Sequence, residues 1–170
     1  MSEQGSAGQG AWRAVMPEVV GEIVENTAFS EVRESARPPV YDDLARGCAL
    51  RVLAPIRGEF SLFMEGELLT DLTRLVYGSP TSGIDPGLEE DFLAELLNTI
   101  AGRFLAAILP PEQGFSLGLP RRKSGPMDYG PATPCLRWDF TVDDRPFTLL
   151  LQGEIILRLA EQQAESARND

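Results

Sequence analysis

Four residues at helical spacing have the clearest chemical potential in the chain: Asp91, Glu95, Asn98 and Gly102. On a helical wheel of about 100° per residue they lie within about 60° of one another, and we call them the polar stripe. The carboxamide of Asn98 can hold a water molecule, because it donates and accepts hydrogen bonds at once. The carboxylate of Glu95 beside it can pair with the ammonium group of a partner.

The same polar stripe also fits the solvated side of a surface helix. Two of its residues are unfavourable inside a helix, since Asn costs roughly 0.5 kcal/mol and Gly about 1 kcal/mol relative to Ala. An ordinary solvated side would also contain Lys or Arg, and this stripe contains neither. A role that needs the amide of Asn98 and the space at Gly102 would account for these choices.

The element that positions the polar stripe is a predicted helix at residues 85–109. Asp85 is a favourable N-cap, Pro86 suits the first helical position, and Pro110 with Pro111 ends the helix. The side opposite the stripe is an apolar arc, formed by Phe92, Leu93, Leu96, Leu97, Ile100 and Phe104. This arc is expected to pack in the core and to leave the stripe exposed.

The N-terminal part predicts a tail and a helix. Residues 1–10 are rich in Gly, Ser and Gln and are expected to be disordered. Residues 12–32 predict a helix, with Pro17 near its start. Its apolar side is formed by Val15, Val19, Val20, Ile23, Val24, Phe29 and Val32. Residues 35–39 form a break.

A β-hairpin and a second helix are predicted before the polar stripe. Residues 48–56 and 59–64 predict two strands joined by Arg57 and Gly58. Residues 67–77 predict a helix that ends at Gly78. The expected inward residues of the hairpin and helix are Leu50, Val52, Phe60 and Leu62, followed by Leu68, Leu69, Leu72, Leu75 and Val76.

The C-terminal part predicts strands. Residues 114–119 and 133–142 predict two of them, separated by a loop at 120–131 that contains Arg121, Arg122 and Lys123. A turn at 143–146 leads to a period-two pattern at 147–159, which predicts one long strand. The alternative breaks this strand at Gly153 and makes residues 154–167 a helix.

This order of elements predicts an α+β fold, a two-layer sandwich with long helices on one face of a mainly antiparallel sheet. Residues 11–160 are expected to form one domain, and residues 161–170 a frayed tail. The long apolar final strand is expected at an edge of the sheet, where it could pair with a second copy and give a homodimer.

Composition excludes several classes of function. The net charge of −11 argues against nucleic acid and anionic membrane surfaces as partners. With no histidine, histidine-based general-base catalysis is excluded and most zinc and iron sites are disfavoured. Cys48 and Cys135 have no metal-binding spacing and are expected to be buried, reduced thiols, with one disulfide between them as the alternative. No signal peptide or membrane-spanning run is recognised, so a cytoplasmic protein is expected.

Residues 91–125 resemble the signature of the CheC/CheX/FliY family of chemotaxis phosphatases, and CheX most closely. That signature places Glu four positions after Asp or Ser, Asn three positions further and a Pro downstream. Asp91, Glu95, Asn98 and Pro120 match it, and Gly102 matches a common glycine of the motif helix. The resemblance extends over residues 19–159. CheC has two such helices, whereas this chain has one, so the CheX-like label fits better.

The resemblance implies a phosphatase that hydrolyses the phospho-aspartate of a CheY-type response regulator. Asn98 would orient the attacking water, and Glu95 would pair with the regulator's active-site lysine. Asp91 and Gly102 would contact the partner. The chain would need no metal of its own, because the regulator would supply Mg²⁺. CheX-like proteins also dimerise through their sheets, which agrees with the predicted homodimer.

Two other interpretations stay open at this point. A non-catalytic dimeric adaptor or sensor module would use the same helix only to bind a receiver domain or a motor-switch partner. A purely structural α+β domain would use this helix for neither binding nor catalysis, and such a protein would bind no receiver. Binding and turnover assays therefore separate the three interpretations.

Overall fold

The computed structural model describes residues 6–78, 83–123, 135–153 and 158. Within these ranges no helix is long and apolar enough to cross a bilayer. The elements follow the chain in the order α1 (Ser6–Ala28), β1 (Val32–Glu34), β2 (Arg46–Ala54), β3 (Gly58–Met64), α2 (Gly66–Tyr77), α3 (Pro86–Ile108), β4 (Ser116–Leu117), β5 (Arg121–Lys123), β6 (Cys135–Val142) and β7 (Arg145–Gln152).

The strands form a seven-stranded sheet in the order β1-β6-β7-β3-β2-β4, with β5 also paired to β2. Every strand pair is antiparallel. The helices of the described residues pack with this sheet around one apolar core. The predicted α+β fold is therefore confirmed.

The core centres on an aromatic residue of α3. The ring of Phe104 meets those of Trp12, Phe60 and Trp138 edge-on, with ring-centroid distances of 5.8, 5.8 and 6.1 Å. Edge-to-face pairs of this kind add to the hydrophobic gain from burying the rings. They connect α1, β3 and β6 to the helix that bears the polar stripe.

Helix α3 forms as its sequence predicts. The side chain of Asp85 accepts a hydrogen bond from the amide of Gly87 at 2.9 Å, and Pro86 is the first helical residue. All six residues of the predicted apolar arc are buried. The helix ends at Ile108, with Leu109 as its extended C-cap.

Helix α1 begins earlier and ends earlier than predicted. It starts at Ser6, in the segment predicted as a tail, whereas residues 1–5 lie outside the described ranges. Trp12 is buried against Phe104, and this contact anchors the first turns. Phe29 follows the helix with a φ of 54° and is 85% exposed, so its predicted inward position is wrong. Val32 belongs to β1, a strand that was not predicted.

The hairpin of β2 and β3 and the capped helix α2 are confirmed, with one error. Gly78 has a φ of 61°, and its amide donates a hydrogen bond to the Arg74 carbonyl, as a left-handed C-cap requires. Leu75 and Val76 were predicted to point inward and are exposed. Thr73 is buried instead, because its hydroxyl donates to the Leu69 carbonyl at 2.7 Å and so has a partner inside the core.

The segment after α3 contains two short strands. The first, β4, is shorter than the strand predicted at 114–119. The second, β5, was predicted as a loop and pairs with residues 47–49 of β2. A Cβ at Gly47 would lie 2.6 Å from a ring carbon of Phe63 and 2.7 Å from the Lys123 carbonyl, so only glycine allows this close approach.

The prediction of a long edge strand at 147–159 is wrong in both respects. Strand β7 ends at Gln152 and lies between β6 and β3 in the interior of the sheet. Leu149, Leu150 and Leu151 are all fully buried, which is typical of a strand covered on both faces. Gly153 has a φ of 132°, and Arg158 is helical, as in the alternative interpretation. Most of residues 154–167 lie outside the described ranges.

The edge strands are β1 and the pair β4 and β5. Both β1 and β5 are three residues long and bear charged side chains, a combination that disfavours edge-to-edge pairing. The predicted homodimer therefore loses the edge strand on which it was based, and it stays a prediction. The predicted tail at 161–170 lies outside the described residues.

Candidate functional site

Helix α3 brings the predicted site residues together on its outer side. Asp91, Glu95 and Asn98 are exposed, while the opposite side of the helix is buried. Gly102 is half-buried, and a Cβ built there would meet no atom within 4 Å. Packing therefore does not require this glycine, which leaves open space one turn beyond Asn98.

The side chains of Asp91, Glu95 and Asn98 have no hydrogen-bond or ion-pair partner in the part of the chain that the structure describes. Their neighbour Thr99 instead donates to the Glu95 carbonyl at 2.9 Å. A carboxylate and a carboxamide one helical turn apart are thus free to bind an external group. Solvent now satisfies them, and a partner could replace it.

A cleft with a volume of about 330 Å³ lies beside the N-terminal half of α3. Asp91 and Pro120 both line this cleft, so the downstream proline of the predicted signature lies next to the first motif residue. Leu69 and Leu93 contribute apolar surface to the cleft, and both are buried. Glu95, Asn98 and Gly102 do not line it.

Two exposed ion pairs flank the polar stripe. Arg122 of β5 approaches Glu90 of α3 at 2.8 Å, and Arg103 of α3 approaches Glu22 of α1 at 3.4 Å. Sequence reasoning assigned Arg122 to a solvated loop and gave Arg103 no role. Successive residues of a strand point to opposite faces of the sheet, but a run of three basic residues gives no sign of this alternation in the sequence.

The neighbours of Arg122 show this alternation. Arg121 and Lys123 both approach Glu59 of β3, at 2.5 and 3.5 Å, and Arg51 of β2 approaches the same carboxylate at 3.8 Å. Glu59 is only 19% exposed, so this cluster is held on the sheet. Arg122, which points to the other face, forms its ion pair with Glu90 of α3.

The described residues contain no group of three acidic or cysteine side chains that could hold a metal ion. Cys48 and Cys135 are free thiols, as predicted, but only Cys48 is buried and Cys135 is half-buried. Burial raises the pKa of the Cys48 thiol, so this group is a poor nucleophile at neutral pH.

A partly buried polar network connects the loop that contains Tyr41 to β6 and β7. The hydroxyl groups of Tyr41 and Thr148 are 2.8 Å apart, and Thr148 donates to Asp139 at 2.7 Å. Arg137 donates to both oxygens of the same carboxylate, at 3.1 and 2.9 Å. Burial raises the pKa of the Tyr41 hydroxyl well above its usual range, so it stays protonated. The polar groups of this network form hydrogen bonds with one another, which indicates a structural role.

No protein-family model matches the chain, and no curated protein matches it by sequence. Solved structures do resemble it. CheX from Desulfovibrio desulfuricans is 14% identical with a TM-score of 0.64, covering 84% of this chain and 99% of that one. A chain of the CheX–CheY–BeF₃–Mg²⁺ complex from Borrelia burgdorferi is 14% identical with a TM-score of 0.61, covering 81% and 94%.

The FliM middle domain from Helicobacter pylori is also similar, at 9% identity with a TM-score of 0.63, covering 96% of this chain and 99% of that one. The chain therefore has the fold shared by CheX-like proteins and this FliM domain. The resemblance predicted from the sequence is confirmed at the level of the fold. Because CheX and the FliM middle domain share this fold at similar TM-scores, the fold alone does not determine the function.

Proposed function

We propose that this protein is a phosphatase that accelerates hydrolysis of the phospho-aspartate of a CheY-type response regulator. The supporting observation is the exposed Glu95–Asn98 pair on α3, whose side chains have no partner in the described residues. The CheX chain of similar fold occurs in a complex with CheY, which agrees with a receiver domain as the partner. Response-regulator signalling is the corresponding biological context.

In this mechanism the carboxamide of Asn98 enters the receiver's active site and holds one water molecule in line with the phosphorus. The water oxygen bonds to phosphorus while the bond between phosphorus and the aspartyl oxygen breaks. The products are the free aspartate carboxylate and inorganic phosphate, which takes up the protons of the water. Asn98 contributes position, because phosphoryl transfer depends mainly on alignment and charge stabilisation.

Glu95 sets the register of the two proteins. Its exposed carboxylate pairs with the receiver's active-site ammonium group, one helical turn from Asn98. Asp91 contacts the partner at the cleft beside Pro120. The open space at Gly102 allows the partner's backbone to approach α3 closely.

The Mg²⁺ that this chemistry requires belongs to the phosphorylated receiver, where carboxylates and the phosphoryl group hold it. The described residues of this chain offer no group that fits a resident metal ion. The ion neutralises charge on the phosphoryl oxygens when bound. The contribution of this chain is the aligned water and the docking contacts.

The test is the lifetime of phosphate on CheY-type receivers mixed with this protein. We expect wild-type protein to shorten that lifetime, and Asn98→Ala to lose most of the acceleration while the fold survives. Full activity in both Asn98→Ala and Glu95→Ala would overturn the assignment of roles.

A second candidate function is a non-catalytic adaptor that binds a receiver domain or a motor-switch partner. The similarity to the FliM middle domain favours it, because the same fold occurs there at a similar TM-score. It predicts that the protein captures a phosphorylated receiver with no change in the lifetime of its phosphate. The same assay, read together with a pull-down, separates the two candidates.

A further inference from the structure

The two ion pairs beside the polar stripe are arranged evenly about its centre. Glu90 and Arg103 lie on opposite sides of that centre, each about 110° away on the helical wheel. Along the axis they are about 20 Å apart at 1.5 Å per residue, with the centre of the stripe midway. The arginines Arg122 and Arg103 therefore stand diagonally across the exposed side of α3.

Both arginines can leave their glutamates at little cost. The side chains of Arg122 and Glu90 are 63% and 49% exposed, and those of Arg103 and Glu22 are 60% and 59% exposed. Water screens exposed pairs, which add little to stability. Arg121 differs, since it shares the poorly exposed carboxylate of Glu59 with two other cations.

The proposed reaction presents an electrostatic difficulty that these arginines resolve. The chain has a net charge of −11, and two of its carboxylates lie in the polar stripe at the proposed docking surface. A phosphorylated receiver also presents carboxylates, because Mg²⁺ at a phosphoryl group is held by them. Two acidic surfaces repel each other unless cations are placed between them. A typical interface buries about 800 Å² on each partner, enough to include both arginines.

We propose that Arg103 and Arg122 form the charged rim of the receiver-binding surface. On docking, each arginine exchanges its glutamate for a carboxylate of the partner, which both attracts the receiver and orients it. The matching receiver has acidic side chains on either side of its phosphorylation site. This inference rests on the proposed function and names the partner chemistry of the same site.

The test uses charge reversal at matched positions. Arg103→Glu and Arg122→Glu are compared with Arg33→Glu, in which the replaced arginine pairs with Glu31 at 2.9 Å on the opposite edge of the sheet. All three variants change the net charge equally, so only location differs. Affinity and association rate are measured for a beryllofluoride-loaded CheY-type receiver at low and high salt. The kcat and KM for dephosphorylation are measured in parallel on the same receiver in its phosphorylated form.

We expect each rim variant to weaken receiver binding roughly tenfold at low salt. The association rate should fall and KM should rise, while kcat changes little. Arg33→Glu should have no more than a small, general effect. Arg103→Gln and Arg122→Gln should show smaller losses, and they replace any reversal variant that thermal melting shows to be unfolded.

Equal effects of all three reversals would overturn the rim, because net charge alone would then explain them. A fall in kcat at unchanged KM would overturn it as well. Arginine-dependent binding without hydrolysis would contradict the proposed phosphatase and leave the rim intact. Hydrolysis that is insensitive to both arginines would support the proposed phosphatase and overturn the rim.

Discussion

Helices α1 and α3 pack against each other and place similar polar residues at the same spacing, yet they use them in opposite ways. The positions that match the polar stripe are Glu18, Glu22 and Glu25 in α1 and Phe29 directly after it. The carboxylate of Glu25 accepts a hydrogen bond from the Val32 amide at 3.0 Å, and that of Glu22 forms an ion pair with Arg103 at 3.4 Å. Phe29 ends the helix where α3 has Gly102.

The only asparagine of α1 is also occupied. The side-chain amide of Asn26 donates to the Glu22 carbonyl at 2.6 Å, whereas the side chain of Asn98 has no partner among the described residues. The amide of Asn26 is thus bonded within its own helix, whereas that of Asn98 is available to another molecule. The difference between the two helices is therefore one of occupancy more than of composition.

The largest expected difference between the helices lies at their asparagines. Asn98→Ala should reduce the acceleration of receiver dephosphorylation by about 10²-fold, as expected for the loss of a group that positions the reaction. It should also stabilise α3 by roughly 0.5 kcal/mol, since Ala is the better helix former. Asn26→Ala should keep full activity. Phosphate lifetimes measure the activity, and thermal melting measures the stability. Equal activity in the two variants would contradict the assigned role of Asn98.

The glutamates should differ next. Glu95→Ala should weaken binding of the phosphorylated receiver roughly tenfold, because the partner's ammonium group loses its carboxylate. Glu22→Ala removes a carboxylate from α1 and should not weaken binding. Titration calorimetry with a beryllofluoride-loaded receiver gives the two affinities. A loss in Glu22→Ala as large as that in Glu95→Ala would place α1 in the interface.

Glycine offers a third comparison, between stability and binding. Gly102→Ala and Gly21→Ala should each stabilise the fold by up to about 1 kcal/mol, since both glycines are helical. An added Cβ meets nothing within 4 Å at Gly102, and at Gly21 only an oxygen of Glu25 at 4.0 Å. Only Gly102→Ala should weaken receiver binding, by a few-fold, because the new methyl group occupies the approach space. Unchanged binding in both would show that the partner does not come close to Gly102.

The smallest effect is expected at the first position of each pattern. Asp91→Ala should weaken receiver binding by about two- to threefold, as is typical of an exposed charge at the edge of an interface. Glu18→Ala, the matched change on α1, should not weaken it. The same calorimetric titration measures both variants. Equal losses would assign the effect of Asp91 to net charge.

Features with local causes could be predicted from the sequence. Asp85 and Pro86 signal a helix start within one turn, and Gly78 signals a helix end, so α2 and α3 could be located. The polar stripe could be predicted as well, because the period of a helix alone brings its residues to one side. These features depend on residues that are close in sequence.

Features with distant causes could not be predicted in this way. Strand β5 consists of three basic residues, and it is a strand because Gly47 of β2 lets its backbone approach. The pairing of Arg122 with Glu90 depends on that same approach. The central position of β7 had a local signal in its consecutive leucines, Leu149 to Leu151, which the period-two pattern obscured.

The aromatic cluster around Phe104 gives the protein an optical reporter of its own. The chain contains two tryptophans, and both rings touch Phe104 on the buried side of α3. The indole nitrogen of Trp138 also donates to the Arg13 carbonyl at 3.0 Å, so its surroundings are sharply defined. Any tilt or shift of α3 would change the emission of these two fluorophores without an attached dye. Stopped-flow fluorescence could therefore time how this helix responds to a partner within a single encounter.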